Sequence, residues 1–136
     1  MEKLYILSTK DSPEVLLDPK KDIYSISGVC HPENVTKFYQ PVIEWLGSYR
    51  DELVKTGSAK SIRFEFFFRY INSASYKYLI TLLQKIFELN EVNDNTSVVW
   101  YYEPDDTDMR DAGNELFEYS GVKLSYLCTE KPTNAS

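Results

Sequence analysis

The amino-acid sequence predicts a single α/β domain built on a mixed β-sheet. Three observations lead to this fold class. Strand-like and helix-like segments alternate from residue 23 onward, which is typical of parallel strands joined by crossover helices. Two strand-like runs separated by a short polar turn precede residue 28, which predicts an opening hairpin. No repeat or linker divides the 136 residues, which are enough to bury one core.

The first strands are short. Leu4–Leu7 can form an edge strand, and Glu14–Asp18 and Ile23–Ser27 flank the turn-forming segment Pro19–Asp22. Gly28 is expected to end the hairpin, because glycine interrupts a strand more often than it continues one.

A long helix is predicted next. His31–Asn34 is typical of a helix start, with a proline and an acid in the first turn. The helix should run from about Asn34 to Lys55 and stop before Gly57, either kinked or divided into two abutting pieces at Pro41. Its apolar residues recur at helical spacing: Phe38, Val42, Trp45, Leu46, Tyr49 and Leu53.

The central strand is predicted over Ile62–Ile71. Alternation would place one aromatic set on one face: Ile62, Phe64, Phe66, Phe68 and Tyr70. The other face would carry Arg63, Glu65, Phe67, Arg69 and Ile71. Since a strand buried on both faces would not carry three charges, we expect the helices mainly on the aromatic face. The other face should be partly open and is a candidate binding surface.

A strand-to-helix joint, Asn72–Ser75, follows this strand. The second helix is predicted over about Ala74–Asn90, with Tyr76, Leu79, Ile80, Leu83 and Phe87 on its apolar side. The hydroxyls of Ser73 and Ser75 therefore lie at a helix N-terminus, where free N–H groups and the helix dipole favour negative charge. We interpret this joint as a functional switch. The alternative is that Ser73 or Asn72 is simply the N-cap.

The last third repeats the alternation. Thr96–Glu103 is a predicted strand, and Asp105–Asp108 begins a third helix that ends near Gly121. That helix should bury Met109, Ala112, Leu116 and Phe117. Val122–Leu127 is the predicted last strand, and Thr129–Ser136 is expected to be a frayed tail.

Composition excludes several function classes. The chain carries 21 acidic and 15 basic residues, a formal charge of −6, without a basic run, so nucleic acid is a poor partner. No apolar run has membrane-spanning length, and the N-terminal apolar run is too short for a signal peptide. Two widely separated cysteines suggest reduced thiols and a cytoplasmic setting.

Catalytic and cofactor readings are weak, and we expect no enzyme, metal site or cofactor. Cys30 adjoins the single histidine, His31, but the sequence offers no further nearby ligands for a metal ion. A small hydrolase is a separate alternative, and it would need the Cys30 and His31 side chains within hydrogen-bond reach of each other and of a cleft. The acidic cluster lacks the spacing of a calcium loop, and helix capping explains it better: Asp105, Asp106, Asp108 and Asp111. An acidic docking face for a partner stays compatible with capping.

Five segments resemble the SiaC family of bacterial regulatory phosphoproteins. They follow one order along most of the chain: Ser12–Asp18, His31–Asn34, Phe38–Leu46, Tyr70–Lys77 and Trp100–Asp106, the last with Asp108-Met109. The resemblance implies a small α/β fold similar in plan to the STAS anti-sigma-factor antagonists. It also implies a partner-switching circuit with a protein kinase, a PP2C-type phosphatase and a diguanylate cyclase, which the unphosphorylated form activates.

The family pattern places the phosphoacceptor just after the asparagine, which is Ser73 here, with Ser75 as the backup. Serine replaces the usual threonine, and Ala74 stands where a second hydroxyl is common. The expected partner surface consists of Asn72, Ser73, Ser75, Lys77 and Arg69. The alternative function is a constitutive scaffold or homodimer without a switch, joined through Phe67 and Ile71 on the open face.

Overall fold

Over residues 1–132, the sheet has six strands, and three helices cover one of its faces. The computed structural model describes residues 1–132. The strands are β1 (Leu4–Ile6), β2 (Glu14–Asp18), β3 (Ile23–Cys30), β4 (Ile62–Ile71), β5 (Thr96–Tyr102) and β6 (Ser125–Glu130). The helices are α1 (Val35–Thr56), α2 (Ser73–Val92) and α3 (Thr107–Ser120).

The strand order in space equals the order in sequence, β1-β2-β3-β4-β5-β6. β1, β2 and β3 pair antiparallel, and β3 to β6 pair parallel. Each parallel connection contains one helix and steps to the adjacent strand in the same direction, so the helices lie on the same face. α2 packs between α1 and α3. The predicted mixed sheet, opening hairpin and one-sided helices are confirmed.

The core lies between the helices and the aromatic face of β4. Phe64, Phe66 and Phe68 are at most 2% exposed, and Trp100 of β5 stacks on Phe66 with 5.8 Å between ring centroids. On the opposite face, Glu65 and Phe67 are half-buried and Arg63 is exposed. This face is therefore open over the middle of β4, as predicted.

Gly28 does not end β3, contrary to the sequence prediction. The strand continues to Cys30 because β4 offers it a parallel partner. At Gly28 φ is +122°, and an added Cβ would lie 3.4 Å from Pro13 Cα. The glycine thus allows two backbone segments to approach closely within the sheet.

The alternation of side chains between the two faces of β4 shifts by one residue near the end of the strand. The predicted faces of Tyr70 and Ile71 were therefore wrong. Gly28 pairs with Phe68 whereas Val29 pairs with Tyr70, so Arg69 is an extra residue in the ladder. Such a bulge shifts every following side chain to the other face. Tyr70 is therefore 49% exposed and Ile71 only 7%.

α1 is one continuous helix, and Pro41 does not divide it. Pro32 and Glu33 precede the helix, since the Asn34 side chain caps it by accepting from Lys37 N at 3.0 Å. The prediction that Glu33 lies in the first turn of the helix was therefore wrong. Burial of six side chains outweighs the missing Pro41 N–H: Tyr39, Val42, Trp45, Leu46, Tyr49 and Leu53.

β6 begins three residues later than predicted, at Ser125, and extends to Glu130. Thr129 and Glu130 therefore pair with β5 and are not part of a frayed tail. The Lys131 ammonium lies over the rings of Phe67 and Tyr101, at 5.5 and 4.5 Å from their centroids. The rest of the predicted tail, residues 133–136, lies outside the described residues.

Candidate functional site

The joint between β4 and α2 is fixed by the backbone and side chain of Asn72. Its N–H donates to Cys30 O at the end of β3 (2.8 Å), and its carbonyl accepts from Ser75 N (3.0 Å). Its side-chain oxygen also accepts from Ser75 N (3.1 Å), as an N-cap does. The start of α2 is thereby tied to the carboxyl ends of two parallel strands, the edge where open α/β sheets commonly bind ligands.

Ser73 is the first residue of α2 and is exposed. An α-helix leaves the N–H groups of its first residues without intrahelical partners, and Asn72 satisfies only that of Ser75. The N–H groups of Ser73 and Ala74 therefore remain available next to the Ser73 hydroxyl. This position can accommodate an added negative charge.

Ser75, two residues further on, is fully buried, with 0% exposure. Its hydroxyl lies beside the Cys30 thiol and the Tyr39 phenol, which are hydrogen-bonded to each other. Within residues 1–132 the Ser75 hydroxyl itself has no aligned hydrogen-bond partner. Burial raises the pKa of both Cys30 and Tyr39, so these groups are neutral at physiological pH. A kinase cannot reach Ser75 unless the first turn of α2 opens.

The buried stripe of α2 explains why the two serines differ. It consists of Ser75, Leu79, Leu82, Leu83, Ile86 and Leu89. The predicted stripe was therefore rotated: Tyr76, Ile80 and Phe87 are only half-buried. Ser75 occupies the first position of the buried stripe, and Ser73 lies outside it.

We expect Ser75→Ala to leave the free energy of unfolding unchanged or to raise it by up to about 1 kcal/mol, because an unpartnered buried hydroxyl is removed and alanine favours the helix. Urea unfolding measures the change, with Ser73→Ala as an exposed control. A loss above about 1.5 kcal/mol would show that Ser75 makes a stabilising hydrogen bond in solution.

The other two predicted partner residues are exposed near the joint. Lys77 lies four residues after Ser73, on the same side of α2. Arg69 is the extra residue of the β4 bulge and lines an open hollow of about 340 Å³ with Glu103, Asp105 and Asp106. Three of the five predicted partner residues are therefore exposed: Ser73, Lys77 and Arg69. The other two, Asn72 and Ser75, hold the start of α2 in place through their hydrogen bonds.

The sequence prediction missed the contribution of His31 and Tyr70. Their rings stack with 5.7 Å between centroids and an interplanar angle of 28°. They are neighbours because β3 and β4 end side by side and because the bulge at Arg69 turns Tyr70 outward, so no local sequence signal indicates the pair. We call the exposed set His31, Arg69, Tyr70, Ser73 and Lys77 the switch surface.

The geometry does not support a hydrolase built on Cys30 and His31. Cys30 is fully buried with its thiol bonded to Tyr39, whereas His31 is exposed and stacks on Tyr70. Burial also raises the pKa of the Cys30 thiol, which lowers its thiolate fraction. Ile71, proposed for a dimer contact on the open face, is buried as well.

The part of the chain that the structure describes contains neither a metal-binding cluster nor a membrane-spanning helix. Over residues 1–132, no group of three or more His, Cys, Asp or Glu side chains is arranged to hold a metal ion. Among the three helices described, none is both long and apolar enough to cross a membrane. Asp106 caps α3 by accepting from Met109 N at 3.0 Å, so the acidic cluster does begin a helix.

Comparison with known proteins gives a consistent result. The sequence model described as SiaC family regulatory phosphoprotein matches residues 6–127. An uncharacterized protein of Pseudomonas aeruginosa (strain UCBPP-PA14) is 23% identical over 103 residues, which cover 76% of this chain and 78% of that protein.

Solved structures show the same fold. Apo-SiaC from Pseudomonas aeruginosa is similar with a TM-score of 0.79 and 20% identity, covering 95% of this chain and 99% of that one. A second structure holds the diguanylate cyclase SiaD in complex with its activator SiaC, from the same organism. The matching chain of that structure is similar with a TM-score of 0.81 and 19% identity, covering 94% of this chain and 99% of that one.

Proposed function

The chain belongs to the SiaC family of regulatory phosphoproteins, and on that premise we propose that it is a partner-switching regulator controlled by phosphate on Ser73. Unphosphorylated, it binds and activates a partner enzyme, a diguanylate cyclase by analogy with the SiaC–SiaD complex. A protein kinase adds the phosphate and a PP2C-type phosphatase removes it. The chain is not itself an enzyme. It acts in the cytoplasm, where ATP is available to the kinase.

The observation that carries this function is the position of Ser73. Its hydroxyl is exposed at the first residue of α2, and Asn72 holds the backbone there through hydrogen bonds to Cys30 and Ser75. The acceptor is therefore presented on a fixed surface. Ser75, the backup acceptor, is buried and would require local opening of α2.

The physical basis of the switch is a local change of charge. A phosphate adds about −1.5 to −2 charges at pH 7. Within the chain, the free N–H groups of Ser73 and Ala74 and the exposed Lys77 favour that charge, so the fold tolerates it. A partner that covers Ser73 would have to desolvate the phosphate, and this penalty weakens the complex.

The test uses protein with phosphoserine incorporated genetically at position 73, so that no kinase is required. We expect its affinity for the diguanylate cyclase of its own cells to fall at least tenfold, about 1.4 kcal/mol, because a dianion is placed within the interface. Isothermal titration calorimetry measures the affinity, and Ser73→Ala should bind like the parent protein.

Phosphoserine at position 61 is the matched control. Ser61 is also exposed and immediately precedes β4, at the opposite end of the strand. The same charge there should leave the affinity unchanged. Equal affinities of unmodified and Ser73-phosphorylated protein, or an equal loss with phosphate at Ser61, would disprove the switch.

A further inference from the structure

The chain around Ser73 cannot become extended without breaking its fold. Ile71 is paired in β4 and 7% exposed, and Ser75 is fully buried in the first turn of α2. Between them, Asn72 donates to Cys30 O and accepts twice from Ser75 N. A kinase that binds its substrate as an extended peptide would have to break these hydrogen bonds and expose both side chains.

The exposed surroundings of Ser73 come from separate parts of the sequence. Tyr70 lies three residues before Ser73. The ring stacked on Tyr70 belongs to His31, which precedes Ser73 by 42 positions in the sequence. The bulge at Arg69 turns Tyr70 outward, where it is 49% exposed. Without this bulge the tyrosine would point into the core, and the stacked pair would not exist on the surface.

Neither ring of this pair belongs to the hydrophobic core formed by residues 1–132. His31 is exposed, and its side chain makes no hydrogen bond or salt bridge to another of residues 1–132. An exposed aromatic pair offers a rigid apolar contact at little conformational cost, which is typical of protein recognition sites. It lies at the carboxyl ends of β3 and β4, next to the backbone that presents Ser73.

Given the proposed function, we infer that the kinase recognises Ser73 through the folded switch surface, with the His31–Tyr70 pair as a specificity-determining contact. The partner that fits this surface is a protein kinase whose substrate site accepts the start of a helix. The linear sequence around Ser73 is not sufficient for recognition.

The experiment compares three substrates for the kinase activity in an extract of the protein's own cells, supplied with [γ-³²P]ATP. They are the folded chain, a synthetic peptide of residues 66–80, and the folded His31→Ala variant. Tyr119→Ala is the matched control, because Tyr119 is 77% exposed on α3 and outside the switch surface. Circular dichroism verifies that both variants are folded, and Ser73→Ala shows which label belongs to Ser73.

We expect the folded chain and Tyr119→Ala to be labelled at equal rates. The rate for His31→Ala should be lower by about tenfold or more, as loss of a specificity contact predicts, and the peptide should remain unlabelled. A peptide labelled as fast as the folded chain, or a His31→Ala variant labelled like the parent, would overturn the inference while leaving Ser73 as the acceptor. Absence of label at Ser73 in the folded chain would instead refute the proposed function itself.

Discussion

Gly113→Ala is expected to lower the free energy of unfolding by about 3 kcal/mol, because it forces a methyl group into a filled core. Gly113 lies in α3 directly against the indole of Trp100, and an added Cβ would overlap the ring atoms Cδ1 and Nε1. The indole cannot move away. Its N–H donates to Met109 O at 3.1 Å, and Phe66 and Phe68 pack against the ring.

Gly47→Ala is the matched control for this substitution. Gly47 lies within α1, and an added Cβ there would meet nothing within 4 Å. Alanine should therefore stabilise the protein by about 0.5–1 kcal/mol, since glycine is the poorer helix former. Urea unfolding followed by circular dichroism measures both variants. Equal stabilities of the two would contradict the close packing of α3 on Trp100.

Tyr39→Ala should cost about 3–5 kcal/mol of stability, the range found when a large aromatic side chain is removed from a core. Tyr39 is fully buried on α1 and stacks on Tyr78 of α2, with 5.4 Å between ring centroids and an interplanar angle of 9°. Its hydroxyl bonds the Cys30 thiol beneath the start of α2. The cavity would therefore open directly under Ser75.

The exposed Tyr119 provides the control for Tyr39 as well, and its replacement by alanine should change stability by less than about 0.5 kcal/mol. Tyr39→Phe keeps the stacked ring and removes only one hydrogen bond, so a loss of about 1 kcal/mol is expected. Thermal and urea unfolding measure all three. A Tyr39→Ala variant as stable as Tyr119→Ala would mean that this ring does not hold α1 against α2.

Sequence periodicity predicted most of the fold because strands and helices bury one face at regular spacing. The β2 range and the β4 range were predicted without error, and α1 and α3 were placed to within one or two residues. Errors arose where a neighbouring strand decided the outcome. Gly28 continues a strand because β4 pairs with it, and β6 is displaced because its partner β5 fixes its register.

The candidate site was predicted in part. The position of Ser73 at a helix start follows from local sequence, since Asn72 is a preferred N-cap and the helical pattern begins just after it. The different burial of Ser73 and Ser75 did not follow, because the apolar residues of α2 are compatible with two rotations of the helix. Only the packing of α2 between α1 and α3 selects one.

The amino-acid sequence by itself determined the order of the elements, the approximate starts of the three helices, and the family of regulatory phosphoproteins. These depend on local preferences and on residues near each other along the chain. The tertiary structure alone decided which serine faces solvent and that His31 stacks on Tyr70. The burial of Ser75 and the exposure of Ser73 depend on the rotation of α2 in its packing, and the stacked pair depends on the one-residue bulge in β4. Both the rotation and the bulge arise from contacts between residues far apart in sequence.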